Sequence, residues 1–263
     1  MDNYLEELRA SISHAVASSI EGKDKIAMLF SGGLDSSLIA YLAKSYTNDG
    51  QIILYTVGTS ESHDLKNAKE SSNLLGMDWK GIEIHIEEIL LAIPELSKLI
   101  GSHHPVKISF ELPFYLALSR INERLIISGQ GADELFGGYA RYLKMNKEEL
   151  GKALKNDLRA LIEKDIKMDF NIAEHFKKTL ITPYLEENVV RITKKIPIEY
   201  KVNNNQRKII LKDVALQIGL PFQIVKREKK AAQYSSGIMK ELRKTAKKKG
   251  IKVNELIEDL VRY

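Results

Sequence analysis

Lys25-Ile26-Ala27-Met28-Leu29-Phe30-Ser31-Gly32-Gly33-Leu34-Asp35-Ser36-Ser37 decides the fold. Its apolar run is short, continuous and closed by Ser-Gly-Gly, which suits a parallel strand buried on both faces. Ser36 to Tyr46 then reads as a helix, with Leu38, Ile39 and Leu42 facing inward and Asn48-Asp49-Gly50 as its stop. The unit is strand, tight turn, helix. Adjacent glycines let the backbone take positive φ and come close to an anion, and the following helix start offers free N–H groups and a positive dipole end. The serine hydroxyls add donors. Asp35 is a poor neighbour for phosphate unless a cation lies between them, so it reads as a magnesium ligand. No Gly-Lys-Ser/Thr follows, so this is not a Walker A loop. The stretch implies a turn that holds phosphate groups with a cation beside them.

The same unit repeats outward from it. Residues 3 to 19 place Leu5, Leu8, Ile12 and Val16 at helical spacing ahead of the first strand. Gln51 to Val57 reads as a second strand, followed by a helix from Asp64 to Leu75 that Gly76 ends. Gly81 to Ile86 alternates like a half-exposed edge strand, and Glu87 to Leu99 is helical. A helix is placed at Leu112 to Ile121, with Pro113 in its first turn. Arg124 to Ser128 is a fourth buried strand that runs directly into Gly129-Gln130-Gly131. Alternating strands and helices predict a doubly wound parallel sheet, with ligands outside the carboxyl ends of its strands. From Tyr139 onward only helical periodicity is visible, broken at Pro183, Pro197 and Pro221; Leu154, Leu158, Leu161 and Ile162 form a core stripe. The expected organisation is one domain over 1–263, with an α/β nucleotide-binding core at 1–145 and a mainly helical extension at 146–263.

Composition excludes several classes. The absence of cysteine removes disulfides, thiolate metal sites, persulfide carriers and a cysteine nucleophile. No run approaches the roughly 20 apolar residues of a membrane helix, and the acidic start Met1-Asp2-Asn3-Tyr4-Leu5-Glu6-Glu7 lacks the features of a secretory signal. A cytoplasmic protein is expected, without a membrane or nucleic-acid partner. The lysines of the last forty residues read as a solvated helix face, and His103-His104 as a structural or solvent-facing pair.

The turn at Ser31–Ser37 resembles the pyrophosphate loop of the N-type ATP pyrophosphatases, which cleave ATP between its α- and β-phosphates and activate substrates as adenylates. A second stretch narrows the resemblance. Ser128-Gly129-Gln130-Gly131-Ala132-Asp133-Glu134-Leu135-Phe136-Gly137-Gly138-Tyr139 looks like the signature of the synthetase domain of class B asparagine synthetases and their relatives, the β-lactam and carbapenam synthetases. Leu54-Tyr55-Thr56-Val57-Gly58 is similar to the strand whose end meets the adenine. Arg227-Glu228-Lys229, followed by Gln233-Tyr234-Ser235-Ser236-Gly237, resembles the segment that supplies the family's catalytic lysine.

This resemblance implies an adenine nucleotide alpha hydrolase-like sheet with a helical C-terminal region, using ATP and Mg2+. Phe30, Val57, Gly58, Ser128 and Gly129 would contact the nucleoside, and Ser31, Gly32, Gly33, Asp35, Ser36 and Ser37 the phosphates. Asp35 and Asp133 would hold metal, Lys229 would act on the transition state, and Glu111, Gly131 and Glu134 would lie against substrate. The implied reaction is adenylation of a small carboxylic acid, by resemblance aspartate, followed by amidation with ammonia.

Two departures bear on the chemistry. Class B enzymes carry an N-terminal glutaminase whose nucleophile is a cysteine, and this chain begins Met1-Asp2 with no cysteine anywhere. Ammonia is then expected free or from a separate glutaminase subunit, and a homodimer is compatible with the reading. At Gln130, assigned a catalytic place, asparagine synthetases usually have a glutamate; glutamine can orient a ligand but cannot take a proton at neutral pH. A loop enzyme acting on another substrate, by β-lactam-type cyclisation or tRNA modification, and an inactive nucleotide-binding relative remain the alternatives.

Overall fold

A computed structural model of the chain describes residues 2–203, 205–227 and 236–262. The chain opens with α1 (Asp2–Ile20) and then alternates: β1 (Ile26–Leu29), α2 (Leu34–Lys44), β2 (Ile52–Gly58), α3 (His63–Leu75), β3 (Trp79–Glu83). Next come α4 (Ile86–Ile100), α5 (Pro105–Arg120), β4 (Leu125–Ile127) and the short α6 (Ala132–Phe136). The remainder holds α7 (Lys147–Ala160), α8 (Ile166–His175), β5 (Thr179–Ile181), α9 (Glu187–Lys195), α10 (Ile209–Gln217), α11 (Phe222–Val225), α12 (Ile238–Lys248) and α13 (Val253–Val261).

The strands form one parallel sheet in the order β3-β2-β1-β4-β5. β1 lies in the middle, with Ile26 level with Ile52 on one side and Leu125 on the other. Side chains alternate across it: Ile26 and Met28 join the core under α1, α2, α9 and α10, while Ala27 joins the core under α5 and α8. Helices therefore cover both faces, as the doubly wound expectation requires. The chain builds outward from β1 to β3, then returns to the far side of β1 for β4. That reversal opens a crevice between the carboxyl ends of β1 and β4, where both glycine loops emerge.

Several boundaries differ from the sequence reading. β5 was not anticipated: Thr179–Ile181 is too short to display a period, and only its pairing with Leu125–Ile127 makes it a strand. It places part of the region after residue 145 in the sheet itself. β3 is the edge strand expected but starts at Trp79, and Ile86 already opens α4. α5 starts at Pro105, not near Leu112, so Pro105 is the first-turn proline and Pro113 sits inside the helix. The interior proline withholds one amide from the helical ladder but does not end it. Glu111, one residue ahead of the helix as placed from the sequence, is consequently in mid-helix and buried. Ile162 is 42% exposed although Leu154 and Leu161 are buried. The π-helical turn at Leu161–Asp165 inserts extra backbone and rotates that residue out of the stripe. Among the described residues no helix is long and apolar enough to cross a membrane.

Candidate active site

The first loop is fixed by what surrounds Gly32. Its φ is +70°, and a Cβ there would lie 2.7 Å from the Asn67 carbonyl oxygen and 2.8 Å from Ala68 Cα. Those are backbone atoms of α3 and cannot yield, so only glycine fits. Ser71 Oγ donates to the Gly32 carbonyl at 2.8 Å, and Arg227 binds Ser71 Oγ at 2.7 Å and the Asn67 carbonyl at 3.0 Å. The loop is thus strapped to α3. Ser31 N donates to Ser36 Oγ at 3.2 Å, and Gly33 begins α2 from extended backbone with no side chain capping the first turn. Ser37 Oγ is buried and has no hydrogen-bond partner. A first turn without a side-chain cap, next to serine hydroxyls, is an anion-binding arrangement.

The second loop meets the first. Ser128 N donates to the Ile181 carbonyl at 3.0 Å, so the unanticipated β5 steers this loop. A Cβ on Gly129 would stand 3.4 Å from Ser36 N, which brings the two loops into contact. Gly131 has φ +91° and faces Leu185, and a Cβ on Gly138 would sit only 1.8 Å from Asp133 Oδ1. These glycines make room for a side chain across from each of them.

Between the loops stands Lys208, a residue the sequence reading did not single out. Its Nζ is 2.6 Å from each carboxylate oxygen of Asp35 and 2.6 Å from Asp133 Oδ1. One buried ammonium therefore ties the acidic residues of both loops together. The backbone of Lys208 is left-handed at φ 56°, which costs a non-glycine residue about 1 kcal/mol. Neighbouring Arg207 donates to the Gly138 carbonyl at 2.6 Å, so this segment also anchors the second loop. Nothing in the sequence beyond a lysine just ahead of an apolar helix marks it. The donor set suits magnesium: two hard carboxylates, one from each loop, converge on a single cation, and this ion takes few protein ligands with the rest from phosphate and water. Among the described residues no group of three or more acidic or histidine side chains offers a fuller cage.

The remaining predicted residues divide by position. Phe30 directly follows β1 and is buried, its carbonyl accepting from Thr56 Oγ1. Val57 and Gly58 close β2 on the neighbouring strand, where a Cβ on Gly58 would strike Ser62 Oγ at 2.3 Å. Glu134 accepts a hydrogen bond from the Tyr139 hydroxyl, whose pKa is pushed up by burial and then by Glu134. Lys229 lies outside the described residues, as do Gln233, Tyr234 and Ser235.

Glu111 and Gln130, distant in sequence, meet through Asp169. Gln130 Nε2 donates to Asp169 Oδ2 at 2.6 Å, and the Glu111 and Asp169 carboxyl groups hydrogen-bond to each other. Gln130 Oε1 is buried with no hydrogen-bond partner. Burial first, and then the facing Asp169 carboxylate, pushes Glu111 up to about 9. Asp169 is raised to about 6 by burial, with its hydrogen bonds to Glu111 and Gln130 pulling the other way. Two carboxyls in hydrogen-bond contact must hold a proton between them, so the pair carries one negative charge near neutral pH. Asp169 was not foreseen, because it lies on a helix beyond the loop and no motif contains it.

A family model described as asparagine synthase matches residues 7–180 and 145–257. A glutamine-hydrolysing asparagine synthetase 1 of Methanocaldococcus jannaschii is 36% identical over an alignment covering 98% of this chain and 54% of that protein. Asparagine synthetase B of Escherichia coli is 28% identical, with 88% of this chain and 45% of that protein covered. The chain thus spans about half the length of the curated relatives it matches. With a parallel sheet in the order β3-β2-β1-β4-β5, a pyrophosphate-type loop at its switch point and a family match along most of its length, the chain belongs to the asparagine synthase family.

Proposed function

We propose that this chain, acting as one domain, is an ATP-dependent amide synthetase. It adenylates a small carboxylic acid, aspartate in the simplest case, and passes the acyl group to ammonia. The observation that carries the reading is the pair Asp35 and Asp133, brought from two glycine loops onto one cation at the switch point of the sheet.

In the first step the acid's carboxylate oxygen attacks the α-phosphorus, and the bond to the β-phosphate oxygen breaks. Pyrophosphate leaves with that electron pair. Ser31, Gly32, Gly33, Ser36 and Ser37 would grip the phosphates through amides and hydroxyls, while Phe30, Val57, Gly58, Ser128 and Gly129 would hold the nucleoside. Mg2+ held by Asp35 and Asp133 would offset charge on the departing pyrophosphate. Lys208 is placed to add positive charge to the same spot, and Lys229 is assigned to the reacting α-phosphate. In the second step ammonia attacks the acyl carbon, AMP departs, and one proton is released. Gly131, Glu134 and Glu111 would border the acid and the nitrogen. Adenylation raises the rate of this step because AMP leaves far more readily than an oxide.

A panel of carboxylic acids assayed for exchange of labelled pyrophosphate into ATP tests the reading. Exchange that depends on one acid, and falls at least a hundredfold in Asp35→Ala, is the expected result. Wild-type exchange in Asp35→Ala, or none with any acid, would overturn it.

A further inference from the structure

Gly32 and Gly33 stand side by side without a Cβ, so the peptide between them can turn over at little cost to either residue. A trans peptide points its C=O and its N–H in opposite directions, and among the described residues no cis bond occurs. Whatever holds the Gly32 carbonyl therefore decides where the Gly33 N–H points. The holder comes from far along the sequence. Ser71 Oγ on α3 donates to that carbonyl at 2.8 Å and itself accepts from Arg227 Nη1 at 2.7 Å; Nη1 also approaches the carbonyl directly at 3.3 Å. Ser71 is fully buried, and the Arg227 side chain is only 19% exposed. With its carbonyl held against α3, the peptide turns the Gly33 N–H to the open side of the loop, where a long 3.4 Å contact to Ser31 Oγ leaves most of its donor capacity unused. Ser37 Oγ, buried and without a hydrogen-bond partner, belongs to the same turn.

We propose that Ser71 and Arg227 set the direction and the strength of the phosphate donor in the first glycine loop: they hold the Gly32–Gly33 peptide with its N–H toward the anion, and the guanidinium charge reaches that N–H through the Ser71 hydroxyl. This rests on the reading of the loop as the seat of the departing pyrophosphate. A hydroxyl that accepts from a cation donates more strongly, and a carbonyl that accepts strongly makes the N–H of its own peptide a better donor. The relay runs from Arg227 to the Ser71 hydroxyl, to the Gly32 carbonyl, to the Gly33 N–H and so to a phosphate oxygen. Without it the peptide is free to present its carbonyl instead, lone pairs against phosphate. Neither side chain is asked to touch phosphate; both are positioning residues. Glu70, which accepts from the other terminal nitrogen of Arg227 at 2.7 Å, is 65% exposed, so water screens most of its hold on the charge. Arg227 stands two residues ahead of Lys229 in the sequence, so the phosphate loop and the segment assigned to the reacting phosphate share this one anchor.

Calorimetric binding of magnesium pyrophosphate to the full chain tests this, alongside KM for pyrophosphate and for the acid in the exchange assay. Ser71→Ala, which deletes one hydroxyl, weakens pyrophosphate binding by about tenfold or more, the size of one charge-assisted hydrogen bond. Arg227→Met weakens it further, and Arg227→Lys recovers part of the loss, because an ammonium keeps the charge but lacks the fork. KM for the acid stays within about twofold in all three, a split that general loosening of the fold does not give. Glu70→Gln gives the sign of the effect: with a counter-charge removed, pyrophosphate binds as tightly as to the wild type or up to about twofold tighter, whereas a strap that only pins α3 would be loosened. Ser71→Ala covers the case in which Arg227→Met fails to fold. Unchanged pyrophosphate affinity in Ser71→Ala, equal losses for pyrophosphate and acid, weaker binding in Glu70→Gln, or no binding to the wild-type chain each overturns the relay. Failure of the synthetase reading shows separately, as absence of exchange with every acid while the pyrophosphate affinities still differ in the stated order.

Discussion

Two buried acid pairs flank the second glycine loop, and they are neutralised in opposite ways. Asp35 and Asp133 are compensated by an ammonium, that of Lys208. Glu111 and Asp169 are compensated by a proton, with Gln130 as a neutral donor. Burial leaves neither pair the option of two bare charges. The choice of partner decides behaviour: a lysine sets a counter-charge between the first two carboxylates, whereas a shared proton makes the second pair sensitive to pH.

Breaking the first pair carries the largest effect. Lys208→Met leaves two buried carboxylates facing each other, and by the usual cost of orphaning a buried charge it lowers stability by about 3–5 kcal/mol. For a chain of this size that is roughly 2–4 °C of Tm per kcal/mol, read by thermal denaturation. Adding Asp35→Asn to that variant sharpens the point: removing one repelling charge restores about 1–2 kcal/mol, by the coupling expected of residues in contact. A double variant no more stable than Lys208→Met means that the lysine acts through packing alone.

Glu111→Gln probes the second pair. Burial raises the folded-state pKa of Glu111, so its stabilising contribution is complete at acid pH and is lost as pH rises toward about 9. The wild-type protein therefore loses stability between about pH 5 and 9 on this account. Glu111→Gln flattens that slope and is the more stable of the two at pH 9, as urea denaturation at several pH values would register. Lys107→Gln has the smallest effect. Lys107 is exposed, so removing its attraction changes stability by no more than a few tenths of a kcal/mol and shifts the titration of the pair slightly upward.

The first glycine loop and the strands that deliver both loops were legible because their signals are local. Gly-Gly after an apolar run fixes a turn and a helix start whatever lies elsewhere. Glu111 was found but misplaced, since Pro113 imitates a first-turn proline and the real one is Pro105. β5 was missed because three residues carry no period, and Ile162 was assigned to the core because a π-helical turn cannot be read from spacing. Asp169 and Lys208 were missed for a different reason: each acts on a loop far from it in sequence.

By itself the sequence determined the alternation of strands and helices, the two glycine turns and the acid that each turn carries, since these depend on backbone freedom and hydrophobic period over a few residues. Only the tertiary structure decided what stands between those acids. The partner of Asp35 is 173 residues away and that of Gln130 is 39 away. Such pairings arise when packed layers force buried charges to find a counter-charge or a proton, and no local pattern records which one they find.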